Sequence, residues 1–134
     1  MSDIKMVIIL RRDLNMRTGK IAAQVAHAAM KILLDRMTDD KSLLNHTRRS
    51  ILLRNGSPLQ QWLDSQFTKV VLYVNSKEEL LTLKDNAESI KLYTALITDA
   101  GKTEFHNKPT ITALAIGPDY SEKIDKVTGG LPLL

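Results

Sequence analysis

The 134-residue chain contains no cysteine, few aromatic residues (4%), and no apolar run near the roughly 18 residues of a membrane-spanning helix. Without cysteine it cannot form disulfides, a thiol nucleophile or a cysteine-ligated metal centre. Its three histidines (His27, His46 and His106) are far apart and no HExxH motif is present, so no metal or other cofactor is predicted. The polar start of the chain lacks an export signal, which predicts a cytoplasmic protein without membrane contact.

Length and composition, with 43% hydrophobic and 25% charged residues, predict one domain over residues 1–134. The charge is distributed unevenly. Residues 1–36 contain seven basic and three acidic residues, whereas the other residues contain twelve of each, so the net charge of +4 belongs to the first quarter of the chain. A local basic patch favours a phosphate-rich partner, and an ordinary solvated helix face is the alternative.

The order of apolar segments predicts strands alternating with helices. Short apolar runs rich in β-branched residues indicate strands at 5–10, 69–74, 93–97 and 112–116. Helical spacing indicates a helix from Gly19 to about Met37, which Thr18 can cap. Later helices are predicted after Ser57-Pro58, after the Ser76–Glu79 capping box, and over 119–127.

These elements predict an α/β fold, with a mixed, mostly parallel four-stranded sheet and helices packed on both of its faces. Residues 98–111 lack the helical period of a parallel crossover, so the fourth strand is expected to run antiparallel to the third if they are neighbours. Residues 38–56 are polar and mixed, and we predict a partly helical surface insertion there rather than a second domain.

This topology brings polar residues from distant parts of the chain to one rim of the sheet. Ligands of open α/β sheets bind beyond the carboxyl ends of the parallel strands. Lys20 follows the first strand, and Asp99 and Thr103 follow the third. An antiparallel fourth strand would begin at the same rim with Thr110 and Thr112. For Asp99-Ala100-Gly101 the alternative is an ordinary turn, and for the threonines it is strand capping.

Lys20 contradicts a local rule, because a cation in the first turn of a helix opposes the helix dipole at a cost of about 0.3–1 kcal/mol. Such exceptions often mark functional sites. Lys20, Gln24, His27 and Lys31 form a polar stripe predicted to lie opposite the buried face. A solvated stripe is an equal alternative for Gln24 and Lys31, and a packed structural role is favoured for His27.

Two familiar enzyme motifs are incomplete or missing. Residues 17–21 (RTGKI) lack the earlier glycine and the following Ser or Thr of a phosphate-binding loop. No GxSxG nucleophile elbow is present, which counts against that class of serine hydrolase.

Residues 13–28 (DLNMRTGKIAAQVAHA) closely resemble the signature of type II peptidyl-tRNA hydrolases, the archaeal and eukaryotic kind. The resemblance continues, in family order, through 69–72 (KVVL), 98–103 (TDAGKT), 114–118 (LAIGP) and 127–129 (VTG). It implies a small mixed-sheet α/β fold, often dimeric, that hydrolyses the ester between a peptide and the terminal ribose of tRNA. A homodimer and a peptidyl-tRNA partner are therefore expected.

The resemblance also implies roles for individual residues. Matching catalytic positions are Lys20, Asp99, Thr103 and Thr112. Lys20 would stabilise the oxyanion, Asp99 would orient Lys20 or accept a proton from water, and the threonines would position water or ribose. The basic charge of the first quarter makes Arg11, Arg12, Arg17 and Lys31 candidates for contacts to the tRNA backbone, and the other substrate-binding candidates are Gln24, His27, Lys102 and Thr110. Ser65, Lys102 and Glu104 replace the usual Gly, Arg and Gln, and residues 38–56 are longer than the family segment.

Two other functions remain open at this point. The first is a non-catalytic tRNA- or nucleotide-binding relative that uses the same rim. The second is a hydrolase of another small acyl ester or amide, because a fold alone does not determine function.

Overall fold

The computed structural model describes residues 3–102 and 104–134. Within them the chain forms six strands, four helices and a 3₁₀ turn at Arg12–Leu14. The strands are β1 (Ile4–Arg11), β2 (Met37–Asp40), β3 (Arg48–Ile51), β4 (Lys69–Val74), β5 (Thr94–Asp99) and β6 (Thr110–Tyr120). The helices are α1 (Thr18–Leu34), α2 (Pro58–Asp64), α3 (Lys77–Ser89) and α4 (Ser121–Thr128).

The main sheet has the strand order β4-β1-β6-β5. β1 pairs in parallel with β4, and β6 pairs antiparallel with both β1 and β5. The predicted mixed sheet is confirmed, including the antiparallel last strand. β4, β1 and β5 run in the same direction, but only one neighbouring pair is parallel, so "mostly parallel" overstates the pairing. The carboxyl ends of β1 and β5 and the start of β6 meet at one rim.

Helices pack on both faces of this sheet, as predicted, because β1 is apolar on both sides. Met6, Ile8 and Leu10 face a core that contains residues of α1 and α2. Val7 and Ile9 face a second core that contains residues of α3 and α4. All five β1 side chains are at most 1% exposed. β1 therefore joins the core shared with α1 and α2 to the core shared with α3 and α4.

The helix starts follow local sequence signals in two of three predicted cases. The hydroxyl of Ser57 accepts a hydrogen bond from Gln60 N at the start of α2, and that of Ser76 accepts one from Glu79 N at the start of α3. The predicted cap at Thr18 is wrong, because α1 already includes Thr18 and its N-cap residue, Arg17, makes no side-chain cap bond. The start of α1 is held by contacts from elsewhere in the fold.

The segment 38–56 lies on the surface, but its predicted partly helical character is wrong. β2 and β3 form an antiparallel hairpin in which Met37 pairs with Ile51 and Asp39 with Arg49. The Arg49 guanidinium donates to both carboxylate oxygens of Asp39, at 2.7 and 3.0 Å. Pairing of β2 with β3 thus satisfies the backbone here in place of a helix, and the Asp39–Arg49 side-chain pair adds a contact across the two strands.

The two outer edges of the main sheet differ. The edge of β4 is covered by the end of the chain, where Leu133 pairs with Leu72 and Leu134 N donates to the carbonyl of Val71. Among the residues described, no strand pairs with the outer edge of β5. Within the same residues, no helix is both long and apolar enough to span a membrane.

Candidate active site

The first turn of α1 and the end of β5 bring Lys20 and Asp99 together, although 79 positions separate them in sequence. The Lys20 ammonium donates to Asp99 Oδ1 at 2.7 Å. The side chains are only 13% and 14% exposed, so water screens this ion pair weakly. Asp99 thus supplies, from another element, the negative charge that the first turn of α1 lacks.

Both carboxylate oxygens of Asp99 accept hydrogen bonds from groups that hold it in one orientation. Oδ1 also accepts from Gln24 Nε2 at 3.3 Å, and Oδ2 accepts from the backbone N–H of Gly101 at 2.8 Å. The Lys20 hydrogen bond is the main cause that lowers the pKa of Asp99, and the Gly101 N–H lowers it further. Burial acts in the opposite direction without prevailing. Asp99 is therefore a carboxylate at neutral pH.

Gln24 and Thr112 form a buried hydrogen-bonded layer beneath the ion pair. The Thr112 hydroxyl donates to Gln24 Oε1, and Gln24 Nε2 donates to Asp99. Gln24 is 1% exposed and Thr112 is fully buried, so the prediction that Gln24 belongs to a stripe opposite the buried face is wrong. The amide is tolerated inside because Thr112 and Asp99 satisfy it. Thr112 lies too deep to position ribose or water directly.

The loop after β5 folds back over Lys20. Gly101 has φ +83°, and a Cβ there would collide with the backbone of Lys108. The Gly101 carbonyl accepts from Asn107 N at 2.8 Å, which closes the loop. The centroid of the Phe105 ring then lies 5.6 Å from the Lys20 ammonium.

The remaining rim residues have different surroundings. Thr110 pairs with Asp99 in the sheet register, but its hydroxyl donates to the carbonyl of Lys108 at 2.9 Å. Lys102 is exposed. Glu104 lies 3.7 Å from the Arg17 guanidinium and accepts from Arg17 N at 3.4 Å, which places a second acid at the start of α1. Thr103 lies outside the described residues.

Two residues of the predicted stripe lie farther along α1. At about 1.5 Å per residue, His27 is about 10 Å and Lys31 about 17 Å from Lys20 along the helix axis. His27 is exposed, so the packed structural role favoured for it is wrong. Lys31 pairs with Asp35 at 3.0 Å. Neither residue joins the hydrogen-bonded cluster around Asp99.

The two predicted arginines at the end of β1 also differ. The Arg11 side chain is 13% exposed, and its guanidinium donates to Asp13 and to the carbonyl of Ile111. Arg12 is exposed, and its guanidinium lies 4.6 Å from the centroid of the Tyr73 ring. Across the described part of the chain, no group of three or more His, Asp or Glu is arranged to hold a metal ion.

The family model for the peptidyl-tRNA hydrolase PTH2 matches residues 4–134. The chain belongs to the PTH2 family. It is 42% identical over 130 residues to the peptidyl-tRNA hydrolase of Sulfurisphaera tokodaii, covering 97% of this chain and 98% of that one. The Methanopyrus kandleri enzyme of that name is also 42% identical over 130 residues, with 97% of each chain covered. That of Methanocaldococcus jannaschii is 40% identical over 131 residues, covering 98% and 100%.

A solved structure of a protein of unknown function from Agrobacterium tumefaciens is also similar, with a TM-score of 0.56 and 14% identity. It covers 100% of this chain and 99% of its own. At this identity the likeness concerns the fold alone, and it supports the same α/β architecture for a PTH2 chain.

Among the residues singled out from the PTH2 resemblance, the structure joins Lys20, Gln24, Asp99 and Thr112 in one hydrogen-bonded cluster. Two groups that contact Lys20 or Asp99 were not among the candidate site residues. The Gly101 N–H is a backbone group, although an Asp two residues before a Gly is a known signal for such a bond. Phe105 lies in a loop without periodicity, so its approach to Lys20 had no sequence signal.

Proposed function

We propose that this protein hydrolyses the ester between a peptide, or an N-blocked aminoacyl group, and the 3′ ribose of tRNA, and so recycles peptidyl-tRNA. The observation that carries the proposal is the shielded Lys20–Asp99 pair at the sheet rim of a PTH2 chain. In this pair, Asp99 fixes the position of the Lys20 ammonium, and a fixed positive charge with little exposure to water can stabilise the oxyanion of an ester.

Lys20 acts on the ester carbonyl in this proposal. Water adds to the carbonyl carbon, the carbonyl oxygen gains negative charge, and the Lys20 ammonium stabilises that oxyanion. When the intermediate collapses, the bond from the carbonyl carbon to the ribose 3′ oxygen breaks. The 3′ oxygen takes up the proton that the attacking water gave up, and the products are a free peptide acid and tRNA. The low exposure of the Lys20 side chain, 13%, makes its charge more effective than on an open surface.

Asp99 acts by holding Lys20 rather than by accepting a proton from water. Its lowered pKa makes it a weak base at neutral pH, and both of its oxygens already accept hydrogen bonds. Gln24 and Thr112 support Asp99 from below and serve as positioning residues. The role of Thr103 in placing water or ribose stays a prediction from the family resemblance.

Arg12, Arg17 and Lys102 are the proposed contacts to the tRNA backbone near the ester. All three are exposed, and the Arg17 side chain is 90% exposed. Lys31 would contact tRNA farther from the ester, because it lies about 17 Å along α1 from Lys20. With few aromatic residues in the chain, recognition rests on phosphate charge and on shape rather than on base stacking.

Three further properties accompany this function as proposals. The protein acts in the cytoplasm, where translation produces peptidyl-tRNA. It works as one domain over 1–134, with 38–56 as a surface insertion that does not contribute to the site. Two copies associate through the outer edge of β5 and the adjoining surface of α1, where Met30 is 61% and Leu34 is 39% exposed.

The deciding experiment is release of a labelled N-acetyl-aminoacyl group from tRNA by the purified protein. We expect release by the wild type, and a loss of at least about tenfold in turnover for Lys20→Ala and for Asp99→Ala, which corresponds to about 1.4 kcal/mol or more. Lys126→Ala is the matched control, because this exposed lysine lies on α4, against the opposite face of the sheet.

Each alternative predicts a different result in the same assay. Salt-sensitive binding of the acyl-tRNA without release would identify a non-catalytic tRNA-binding relative. Hydrolysis of small acyl esters, with neither binding nor release from tRNA, would identify another kind of hydrolase. Wild-type turnover in both the Lys20 and Asp99 variants would contradict the assigned roles.

A further inference from the structure

The Arg11 guanidinium makes three hydrogen bonds within the protein. Nη2 donates to Asp13 Oδ2 at 2.7 Å and Nε to Asp13 Oδ1 at 3.3 Å, which is a two-pronged ion pair. Nη1 donates to the backbone carbonyl of Ile111 at 2.9 Å, across 100 positions of sequence. Each of the three guanidinium nitrogens is therefore directed at a protein acceptor, and the side chain is only 13% exposed.

These bonds connect the two segments that position the site. Asp13 lies in the 3₁₀ turn that leads from β1 to α1, the helix that carries Lys20. Ile111 lies in β6 between Thr110, which pairs with Asp99 in the sheet, and Thr112, which bonds to Gln24. Arg11 thus ties the connection before α1 to the strand that supports Asp99 from below.

Contact with tRNA phosphate would conflict with this geometry. A phosphate would have to displace Asp13 or Ile111 from the guanidinium. The Arg11–Asp13 pair also carries no net charge, so it contributes little to counterion release. The neighbouring Arg12 is exposed and lies beside the Tyr73 ring rather than a carboxylate in the contacts described, which suits it better to contact RNA.

We propose that Arg11 is a positioning residue for the hydrolysis, acting together with Asp13, and that it does not contact RNA. The inference rests on the function proposed for the Lys20–Asp99 site. Arg11 holds the start of β6 in register with the start of α1, so that the Thr112–Gln24 layer presents Asp99 to Lys20. Small displacements in such an arrangement are costly, since about 1 Å of misplacement can reduce a rate about 100-fold.

The test compares Arg11→Lys and Arg11→Ala with Arg12→Ala in the acyl-tRNA release assay at several salt concentrations. Lysine keeps the charge of Arg11 but loses the fork that reaches two acceptors. We expect both Arg11 variants to lose tenfold or more in kcat, with KM for the tRNA within about twofold and its salt dependence unchanged. Arg12→Ala should mainly raise KM and make the salt dependence shallower by about 0.7–0.9 per lost contact.

A double-mutant cycle with Asp13→Ala gives a second readout. If the two residues act as one unit, Arg11→Ala and Asp13→Ala together should reduce kcat about as much as either alone. If Arg11→Ala does not fold, Asp13→Asn tests the same ion pair, because it keeps the shape of the side chain and removes its charge. An RNA contact predicts the reverse pattern, in which Arg11→Lys stays near wild type and Asp13→Ala binds tRNA more tightly. That pattern would overturn the proposal, as would wild-type kinetics in Arg11→Ala.

A measurement without substrate separates this inference from the proposed function. Amide hydrogen exchange of Thr112 and Ala113 should be at least tenfold faster in Arg11→Lys than in wild type, while amides of α3 stay unchanged. If the wild type releases no acyl group but exchange responds in this way, the proposed function fails and the structural link stands. Unchanged exchange at the start of β6 would refute the link whatever the activity.

Discussion

At the scale of single residues, the site depends on how the environment fixes the charge of Asp99. In an exposed carboxylate, both oxygens accept hydrogen bonds from exchanging water molecules and the group has no fixed orientation. Here one oxygen accepts from Lys20 and Gln24, and the other accepts from the Gly101 N–H. The carboxylate is thereby held in one orientation, with the Lys20 ammonium directed at it. Neither side chain would keep this orientation alone.

The lowered pKa of Asp99 in the folded protein predicts how stability and turnover depend on pH. The pKa is below the ordinary value of 3.8, so the pairing stabilises the folded protein fully above that value and is lost as pH falls through the lower, folded pKa. We therefore expect no inflection from Asp99 in turnover between pH 5 and 8. A carbon-13 titration of the Asp99 carboxyl should show a midpoint below 3.8. A midpoint at or above 3.8 would contradict the assignment. Asp40, whose pKa is also lowered but at a distant surface site, is the internal comparison.

Gly101 shows how one backbone conformation controls the loop over the site. Its φ of +83° disfavours any side chain, and a Cβ would meet the Lys108 backbone. Gly101→Ala should destabilise the protein by about 1–3 kcal/mol and reduce turnover, because the loop must move away from Asp99. Thermal unfolding and acyl-tRNA release are the measurements. Gly130→Ala is the control, since a Cβ there meets nothing within 4 Å. Equal behaviour of the two variants would refute the argument.

At the scale of elements, α1 and β6 carry a polar contact inside an apolar interface. α1 buries Gln24 along with Ala28 and Ile32, and β6 buries Thr112 along with Ala113. A buried amide and hydroxyl are costly unless each bonds to a partner. Their pairing therefore specifies one register of α1 against the sheet, which is the register that brings Lys20 to Asp99.

Thr112→Val tests this contact with little change in shape. Valine removes the hydroxyl that donates to Gln24 Oε1 and leaves that oxygen buried without its donor. We expect a loss of about 1–3 kcal/mol in stability, together with reduced turnover and little change in KM. Thr112→Ser is the matched variant, because it keeps the hydroxyl and should retain most of the turnover. If serine and valine lower turnover equally, the hydrogen bond is not what positions the site.

At the scale of the whole molecule, folding neutralises much of the basic excess at the start of the chain. Lys5, Arg11, Arg17, Lys20 and Lys31 each lie within 4 Å of a carboxylate. Three of those carboxylates belong to the later part of the chain, namely Asp99, Glu104 and Asp125. The net charge of +4 is unchanged, but the concentrated patch that the sequence indicated is reduced.

This neutralisation predicts a modest salt dependence of tRNA binding. With Arg12, Arg17, Lys31 and Lys102 as the contacts, the slope of log affinity against log salt should lie between about −3 and −4. Filter binding of tRNA between 50 and 200 mM salt measures it. A slope near zero would exclude these contacts, and a slope beyond about −5 would mean that further basic residues also bind phosphate.

The outer edge of β5, with which no described strand pairs, predicts that the protein forms a dimer. Sedimentation velocity at micromolar concentration should show a dimer for the wild type. Met30→Glu combined with Leu34→Glu should shift it to a monomer, because the two exposed apolar side chains beside β5 would become charged. Leu44→Glu is the control, since this equally apolar and 85% exposed residue lies between β2 and β3. A monomeric wild type would rule out the dimer.

Local signals in the sequence were sufficient for much of the fold. The apolar run at 5–10, the Ser57 and Ser76 caps and the short link between β5 and β6 each act within a few residues, so their structures could be predicted from neighbours alone. Because strand direction determines which ends meet, the same signals placed Lys20 and Asp99 at one rim. The Gly101 turn was also readable from its local sequence.

Only the tertiary structure decided which polar groups face inward. Gln24 reads as part of a solvated stripe, and it is buried because Thr112 and Asp99, 88 and 75 residues away, satisfy its amide. Arg11 reads as an exposed RNA contact, but in the fold its guanidinium donates to the backbone carbonyl of Ile111, 100 residues away. Helical and strand periods describe neighbours along the chain, whereas the partner of a buried polar group is chosen by elements that meet only after folding.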